Sequence, residues 1–220
     1  MQPSPRRLLL FIIILAVLIG IIQIGAISIA FDKLGLSPES AYLLLLCTLV
    51  GSLINLPLFS LKADPGAPPR IPPQLTRLPF FRLPIFPGRI TVAINAGGGL
   101  VPVTFSLYLI THNPLNPLHV AAAVATVALV TRKFSLPIPG LGIAIPMLVA
   151  PVTAALAGAM LDTEQRAPLA YIGGTLGVLI GADLMRLNDI RRLGSPFASI
   201  GGAGTLDGVF ITGIVAVLLA

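Results

Sequence analysis

From Leu8 to Phe31 the chain runs 24 residues without a charged side chain. A helix needs about 20 predominantly apolar residues to cross a hydrocarbon layer about 30 Å thick. Several later stretches approach that length. In lipid every backbone N–H and C=O must be satisfied within the protein, which leaves a helix bundle or a closed barrel. Unbroken apolar runs, rather than short alternating ones, select helices. Composition agrees: 55% of the residues are hydrophobic and 10% charged, against about 25% charged in ordinary soluble domains. A soluble fold of 220 residues has too little interior to hide that much apolar surface.

The expected fold class is therefore all-α, a polytopic transmembrane helix bundle forming one domain over residues 1–220, with about seven spans. They read Leu8–Phe31, Ala41–Leu61, Ile90–Ile110, Leu115–Thr131, Leu136–Leu161, Leu169–Leu187, and Phe197 to the last residue. Ser28-Ile29-Ala30 loosely resembles a signal-peptide cleavage site. The apolar core ahead of it exceeds the roughly 7–15 residues of such peptides, so the first span is expected to be retained. Residues 62–89 form the one long polar connection, a basic cytoplasmic loop too rich in proline for a regular helix. Its Phe80, Phe81 and Phe86 alternate with arginines. That pattern suits either an extended segment on anionic lipid headgroups or a solvated linker.

The basic residues test the span count, because short cytoplasmic loops collect Lys and Arg. Seven spans with a cytoplasmic amino terminus and an outer carboxyl terminus place twelve inside: Arg6, Arg7, Lys62, Arg70, Arg77, Arg82, Arg89, Arg132, Lys133, Arg186, Arg191 and Arg192. Only Lys33 and Arg166 fall outside. One missed helix would invert everything downstream, so the asymmetry supports the count and a cell-membrane location. The net charge of +6 is thus an orientation and lipid-contact signal, and no nucleic-acid partner is expected. Cys47 is the sole cysteine, so the chain can form no internal disulfide.

Two spans look broken. Gly97-Gly98-Gly99-Leu100-Val101-Pro102 resembles Gly140-Leu141-Gly142-Ile143-Ala144-Ile145-Pro146 in placing glycines ahead of a proline inside a membrane segment. A single such span reads as a proline kink. A matched pair is the pattern of discontinuous helices around a transport site. Asn95, Gly97, Gly98, Gly140 and Gly142 would then bind an ion or small solute, Asn95 as a polar ligand, with Thr205 beside the acid on the seventh span. On the sixth span Gly173, Gly177 and Gly181 stand four residues apart, and Gly204 and Gly208 repeat the spacing on the seventh. Small residues at that interval let helix backbones approach closely.

Asp183 and Asp207 carry the chemistry. A carboxyl in mid-membrane costs about 2.5–3.5 kcal/mol on insertion scales. Asp207 has no basic residue three or four positions away; the structural alternative is a buried carboxyl bonded to Thr205, Thr175 or backbone. Arg186, three residues after Asp183, offers that acid an ion pair on one helix face. The two acids lie on consecutive antiparallel helices at depths of roughly 12 and 16 Å, at about 1.5 Å per residue. Two carboxyls meeting in a low-dielectric site share a proton. One then activates water while the other protonates a carbonyl, as catalytic carboxyl dyads do.

That arrangement resembles the intramembrane aspartic peptidases of the presenilin and prepilin-peptidase type; in the presenilin branch one Asp lies on a sixth helix and the other in a Gly-x-Gly-Asp motif on the seventh. The departures are Ala182 ahead of the first acid, Thr205-Leu206 between Gly204 and Asp207, and the lack of a Pro-Ala-Leu motif. A wider resemblance covers most of the chain. Ile94-Asn95-Ala96-Gly97-Gly98, the run from Pro137 to Pro146, Gly174-Thr175-Leu176-Gly177 through Gly181-Ala182-Asp183-Leu184, and Ile200 to Gly208 are similar to a prokaryotic membrane family catalogued as domain of unknown function 1614. It implies a polytopic membrane protein and no particular activity.

His112 and His119 flank Asn113-Pro114-Leu115-Asn116-Pro117 without a His-Glu-x-x-His, so no zinc-peptidase apparatus is visible. Gly-x-Ser-x-Gly and P-loop motifs are also lacking, and no cofactor is implied. The readings are an aspartic intramembrane hydrolase, a proton- or ion-coupled transporter or channel, and a scaffold for a partner subunit. Its partners are the bilayer and a membrane-embedded peptide or small solute.

Overall fold

The computed structural model describes residues 20, 23–64, 88–138, 142–192, 194–202 and 208–220. Helix α1 (Gln23–Lys33) meets α2 (Pro38–Ser52) at a bend of 114°. Ser37 caps α2 through its hydroxyl, which accepts the Ser40 N–H, and Pro38 opens it; proline is favoured there because that N–H has no helical partner. Strands β1 (Asn55–Lys62) and β2 (Arg89–Asn95) follow, then a π-helical turn (Ala96–Leu100) leading into α3 (Val101–His112). Helix α4 (Pro117–Phe134), the hairpin strands β3 (Leu136–Ile138) and β4 (Gly142–Ala144), and α5 (Val149–Leu161) come next. Helix α6 (Arg166–Val178) runs through a π-helical segment (Leu179–Asp183) and a 3-10 turn (Leu184–Arg186) into α7 (Leu187–Ile190). Strand β5 (Phe197–Ile200) and helix α8 (Gly208–Leu219) complete the order.

The all-α expectation is corrected. The fold is mostly helical, but it carries a three-stranded sheet in the order β1-β2-β5 and the two-stranded β3-β4 hairpin. Strand β1 is antiparallel to β2, and β5 runs parallel to β2. The second expected span ends early because Pro57 cannot continue a helix. It sits instead in an edge strand, at a register shift between Pro57 and Phe59, where a missing ladder donor is tolerated. The third span opens as Ile90-Thr91-Val92-Ala93-Ile94, whose β-branched residues suit a strand.

The expected breaks in the third and fifth spans are therefore strand-to-helix junctions. Pro102 stands in the first turn of α3 and Pro151 in the first turn of α5, where proline begins a helix. Among the described residues two helices are long and apolar enough to cross a membrane, Pro117–Phe134 and Arg166–Ile190, with a third if the bent α1–α2 pair is one span. Met160 (85% exposed), Leu118 (76%), Leu53 (74%) and Met147 (73%) point outward, a surface suited to lipid. These helices mark a membrane protein.

Helix α6 is the hub, and its glycines explain why. An added Cβ at Gly177 would lie 2.5 Å from the Val127 Cβ, and one at Gly173 would lie 3.2 Å from the Ala123 Cβ. At Gly181 it would overlap the Ala128 carbonyl. The stripe read from the sequence thus packs α6 on α4. On other sides Gly158 of α5 fits against Ala170, and Gly213 of α8 against Tyr171 and Thr175. The Thr175 hydroxyl also meets that of Ser106 on α3 at 3.0 Å.

Substituting Gly181→Ala forces a methyl into backbone and is expected to lower stability by about 1–3 kcal/mol. Gly25→Ala, with nothing within 4 Å of the new Cβ, should be neutral or slightly stabilising. Thermal unfolding of the two variants in detergent checks this, and equal midpoints would refute the packing role.

Candidate functional site

Asp183 ends the π-helical stretch of α6, two residues after Gly181. Two residues turn the helix by roughly 200°, so the acid faces away from the α4-packed stripe. Its Oδ2 accepts the Gly201 N–H at 2.8 Å. Arg186, the alternative partner, engages other groups: it pairs with Asp189 at 2.9 Å, donates to the Ser135 hydroxyl and carbonyl, and donates to the Arg132 carbonyl. Those carbonyls close the end of α4, where a cation suits the helix dipole.

Gly201 and Gly202 have φ of +77° and +87°, a left-handed conformation that glycine adopts without a Cβ clash. A Cβ on Gly201 would also lie 2.6 Å from the Gly98 carbonyl carbon and the Gly99 nitrogen. The two glycine clusters of the sequence therefore meet backbone to backbone. Asn95 locks the first of them. It is fully buried; its Oδ1 accepts the Gly98 N–H at 2.8 Å, and its Nδ2 donates to the Ser52 carbonyl at 2.8 Å and to Asn55 Oδ1 at 3.2 Å. Asn55 Oδ1 also accepts the Ser199 hydroxyl at 2.7 Å.

Beside Asp183 lies a cavity of about 470 Å³ between β4 and the start of α5, the end of α6, strand β5 and the start of α8. Ile145, Met147, Val178 and Ile211 make it largely apolar, while Asp183, Ser199 and Thr212 add polar groups. The Thr91 N–H bonds the Pro196 carbonyl. Alternation along β5 then turns the backbone polar groups of Phe197, Ser199 and Gly201 to the edge away from β2. The Gly201 N–H reaching Asp183 agrees with that alternation.

Of the expected site residues, Asp183 and Gly142 line this cavity together. Asn95, Gly97 and Gly98 are buried in the seam behind it, with Gly97 pressed on Thr48 and Ser52 of α2. Asp207, Thr205 and Gly140 lie outside the described residues, although Gly202 and Gly208, which bracket 203–207, both line the cavity. The histidines lie elsewhere: His119 Nδ1 is 3.8 Å from Asp162 Oδ2, and His112 Nδ1 meets the Tyr108 carbonyl and the Thr111 hydroxyl. Among the described residues no three His, Cys, Asp or Glu side chains group as metal ligands.

Asn95, the triple glycine, Asp183 and Gly201 thus gather at one junction, and the family model described as "Protein of unknown function (DUF1614)" matches residues 49–219, which hold them all. The chain belongs to this family. No curated protein and no solved structure matches it. In this DUF1614 chain two polar residues of the junction escape sequence reading, Asn55 and Ser199. Asn55 could have been noticed as a lone amide in an apolar run. Ser199 gives no signal until β5 is known to be a strand.

Truncating Asn95 to alanine leaves the Gly98 N–H and the Ser52 carbonyl without their side-chain partner, at about 1–3 kcal/mol for each buried group left unsatisfied. The midpoint of thermal unfolding should fall accordingly. An Asn95→Ala protein as stable as the parent would show that these bonds do not hold the junction.

Proposed function

We propose that the chain is an aspartic intramembrane hydrolase acting on peptides, with Asp183 and Asp207 as its carboxyl pair. The observation that carries this reading is Asp183 on the wall of a largely apolar cavity that Gly202 and Gly208 also line. Asp207 immediately precedes Gly208 in the chain. One carboxylate takes a proton from water as the water oxygen adds to the carbonyl carbon. The other carboxyl gives its proton to the carbonyl oxygen. Collapse of the tetrahedral adduct breaks the C–N bond: the departing amine takes the proton that the first carboxylate drew from water, the adduct's hydroxyl returns a proton to the second, and an acid and an amine are left. The outer edge of β5 supports a peptide substrate, since an extended segment can add to a strand edge through main-chain hydrogen bonds. Ser199 supplies such groups within about two residues of the Asp183-bound Gly201.

Proton- or ion-coupled transport is the second reading, favoured by Gly142 and Asp183 sharing the cavity. It ranks lower because Asn95, its ligand from the third span, has both ends of its amide engaged within the protein.

We further propose that the chain is a single membrane domain crossing seven times in the cell membrane, amino terminus in the cytoplasm and carboxyl terminus outside. Residues 62–89 would then lie on the cytoplasmic headgroups. Charge segregation supports this. Lys62 stands opposite Arg89 in the sheet, and the Arg191 carbonyl accepts the Asp64 N–H beside them. At the other end Asp32, Lys33, Glu164 and Arg166 line one groove. Helices α3, α5 and α8, of 12, 13 and 12 residues, reach only about 18–20 Å. Extended strands ahead of them would complete the crossing.

Reconstituted protein should cleave a fluorogenic transmembrane peptide, and Asp183→Asn or Asp207→Asn should each abolish turnover without shifting the unfolding midpoint. Cleavage that survives in either variant would remove the dyad; an ion-dependent flux altered in Asp207→Asn but not in Asp183→Asn would favour transport. In a Cys47→Ser background, single cysteines at Arg192 and Lys33 should react with an impermeant maleimide from opposite sides of sealed vesicles. Labelling from the same side would break the topology.

A further inference from the structure

At the basic end, the last turn of α4 and the 3-10 turn beyond α6 enclose a groove of about 520 Å³ lined by Arg132, Lys133, Arg186, Asn188, Leu129 and Met185, with Asp189 as its one acid. Asp189 is neutralised by Arg186 at 2.9 Å. Arg186 is in turn anchored to the end of α4 through Ser135. Arg132 and Lys133 are exposed, and among the described residues neither side chain joins an ion pair. The groove therefore presents two cations to an outside anion.

Directly along the helix from these cations runs an uncovered apolar stripe. Leu118, Ala121, Ala125, Leu129 and Arg132 recur at intervals of three or four residues and are all exposed, so they share one face. Leu118 is 76% and Leu129 63% exposed, whereas the alanines between them are small. Only 22% of the α4 span is buried within the protein, against 72% of the α6 span, so α4 is a peripheral helix. From Leu118 to Arg132 the stripe measures ~21 Å at about 1.5 Å per residue, longer than one half of a hydrocarbon layer about 30 Å thick.

We infer that this face holds an anionic phospholipid, its phosphate on Arg132 and Lys133 and its acyl chain along the Leu118–Leu129 stripe. A free phosphate would use the cations and leave the stripe unused. Basic pockets between membrane helices recognise lipid headgroups in this way. The site is separate from the cavity at Asp183 and does not depend on any hydrolytic activity.

The test is native mass spectrometry of the full chain released from nanodiscs of phosphatidylcholine doped with phosphatidylglycerol of the same chain length. The parent should retain phosphatidylglycerol in preference to phosphatidylcholine. Each cation removed should weaken retention about fivefold, so Arg132→Ala/Lys133→Ala loses about 25-fold. Arg166→Ala, at the opposite end, should retain the lipid like the parent. Leu129→Asn should shorten retention although both cations remain. Both substituted cations are exposed, and an unchanged unfolding midpoint in pure phosphatidylcholine establishes that the double variant is folded. Undiminished preference in the double variant overturns the proposal, as does displacement of the lipid by millimolar glycerol 3-phosphate, which would mark a free-phosphate site.

Discussion

The demand that backbone polar groups be satisfied away from water governs this fold more than any side-chain contact does. Helices meet that demand internally, but the chain leaves helical hydrogen bonding ahead of α3, α5 and α8. At each departure something must take up the exposed N–H and C=O groups. The β1-β2-β5 sheet does so for β2 and β5, and the β3-β4 hairpin does so ahead of α5. Where the ladders end, side chains take over: Asn95 accepts the Gly98 N–H and Asp183 accepts the Gly201 N–H. Two of the polar residues singled out in the sequence, Asn95 and Asp183, thus also close the ends of strands.

The glycines follow from the same constraint. Backbone can lie against backbone only where no Cβ intervenes, and close approaches of that kind include Gly97 on α2, Gly201 on Gly98, and Gly181 on Ala128. The first two hold the strand-to-helix junctions together, while the third draws α6 against α4. Since α6 also touches α3, α5 and α8, this one helix fixes where the Asp183 carboxyl stands relative to the cavity. A site built on it inherits the rigidity of a helix buried on most sides, which favours precise placement of a reacting group.

Much of this was legible in the sequence, and the part that was not has an identifiable cause. Apolar length revealed the membrane class, and the four-residue glycine interval revealed the α6 stripe. Hydropathy counts apolar residues without their period, so Ile90–Asn95 and Phe197–Ile200 read as helix although their β-branched and alternating residues pair as strands. Pro102 read as a break because its distance from the helix start was unknown; placed in the first turn of α3, it begins that helix. The meeting of Gly98 with Gly201 joins positions about a hundred residues apart in the chain, and no local pattern encodes such a contact.

The order of elements also explains why the cavity opens where it does. Three times a helix of the bundle (α2, α4, α6) leads through an extended stretch and returns as a shorter helix (α3, α5, α8). The first return leg has its glycine turn filled by Asn95 and covered by α2. The third abuts the first through Gly201 and Gly98, so that side is closed as well. The second is joined through the separate β3-β4 hairpin, which among the described residues shares no ladder with the larger sheet. Space therefore remains between the second and third return legs. Strand β5, with one edge paired to β2, turns its other edge toward that space, and Asp183 stands at the end of that edge. A carboxyl at the head of a strand edge, in an apolar hollow between two incompletely joined units, follows from this topology whatever molecule the hollow receives.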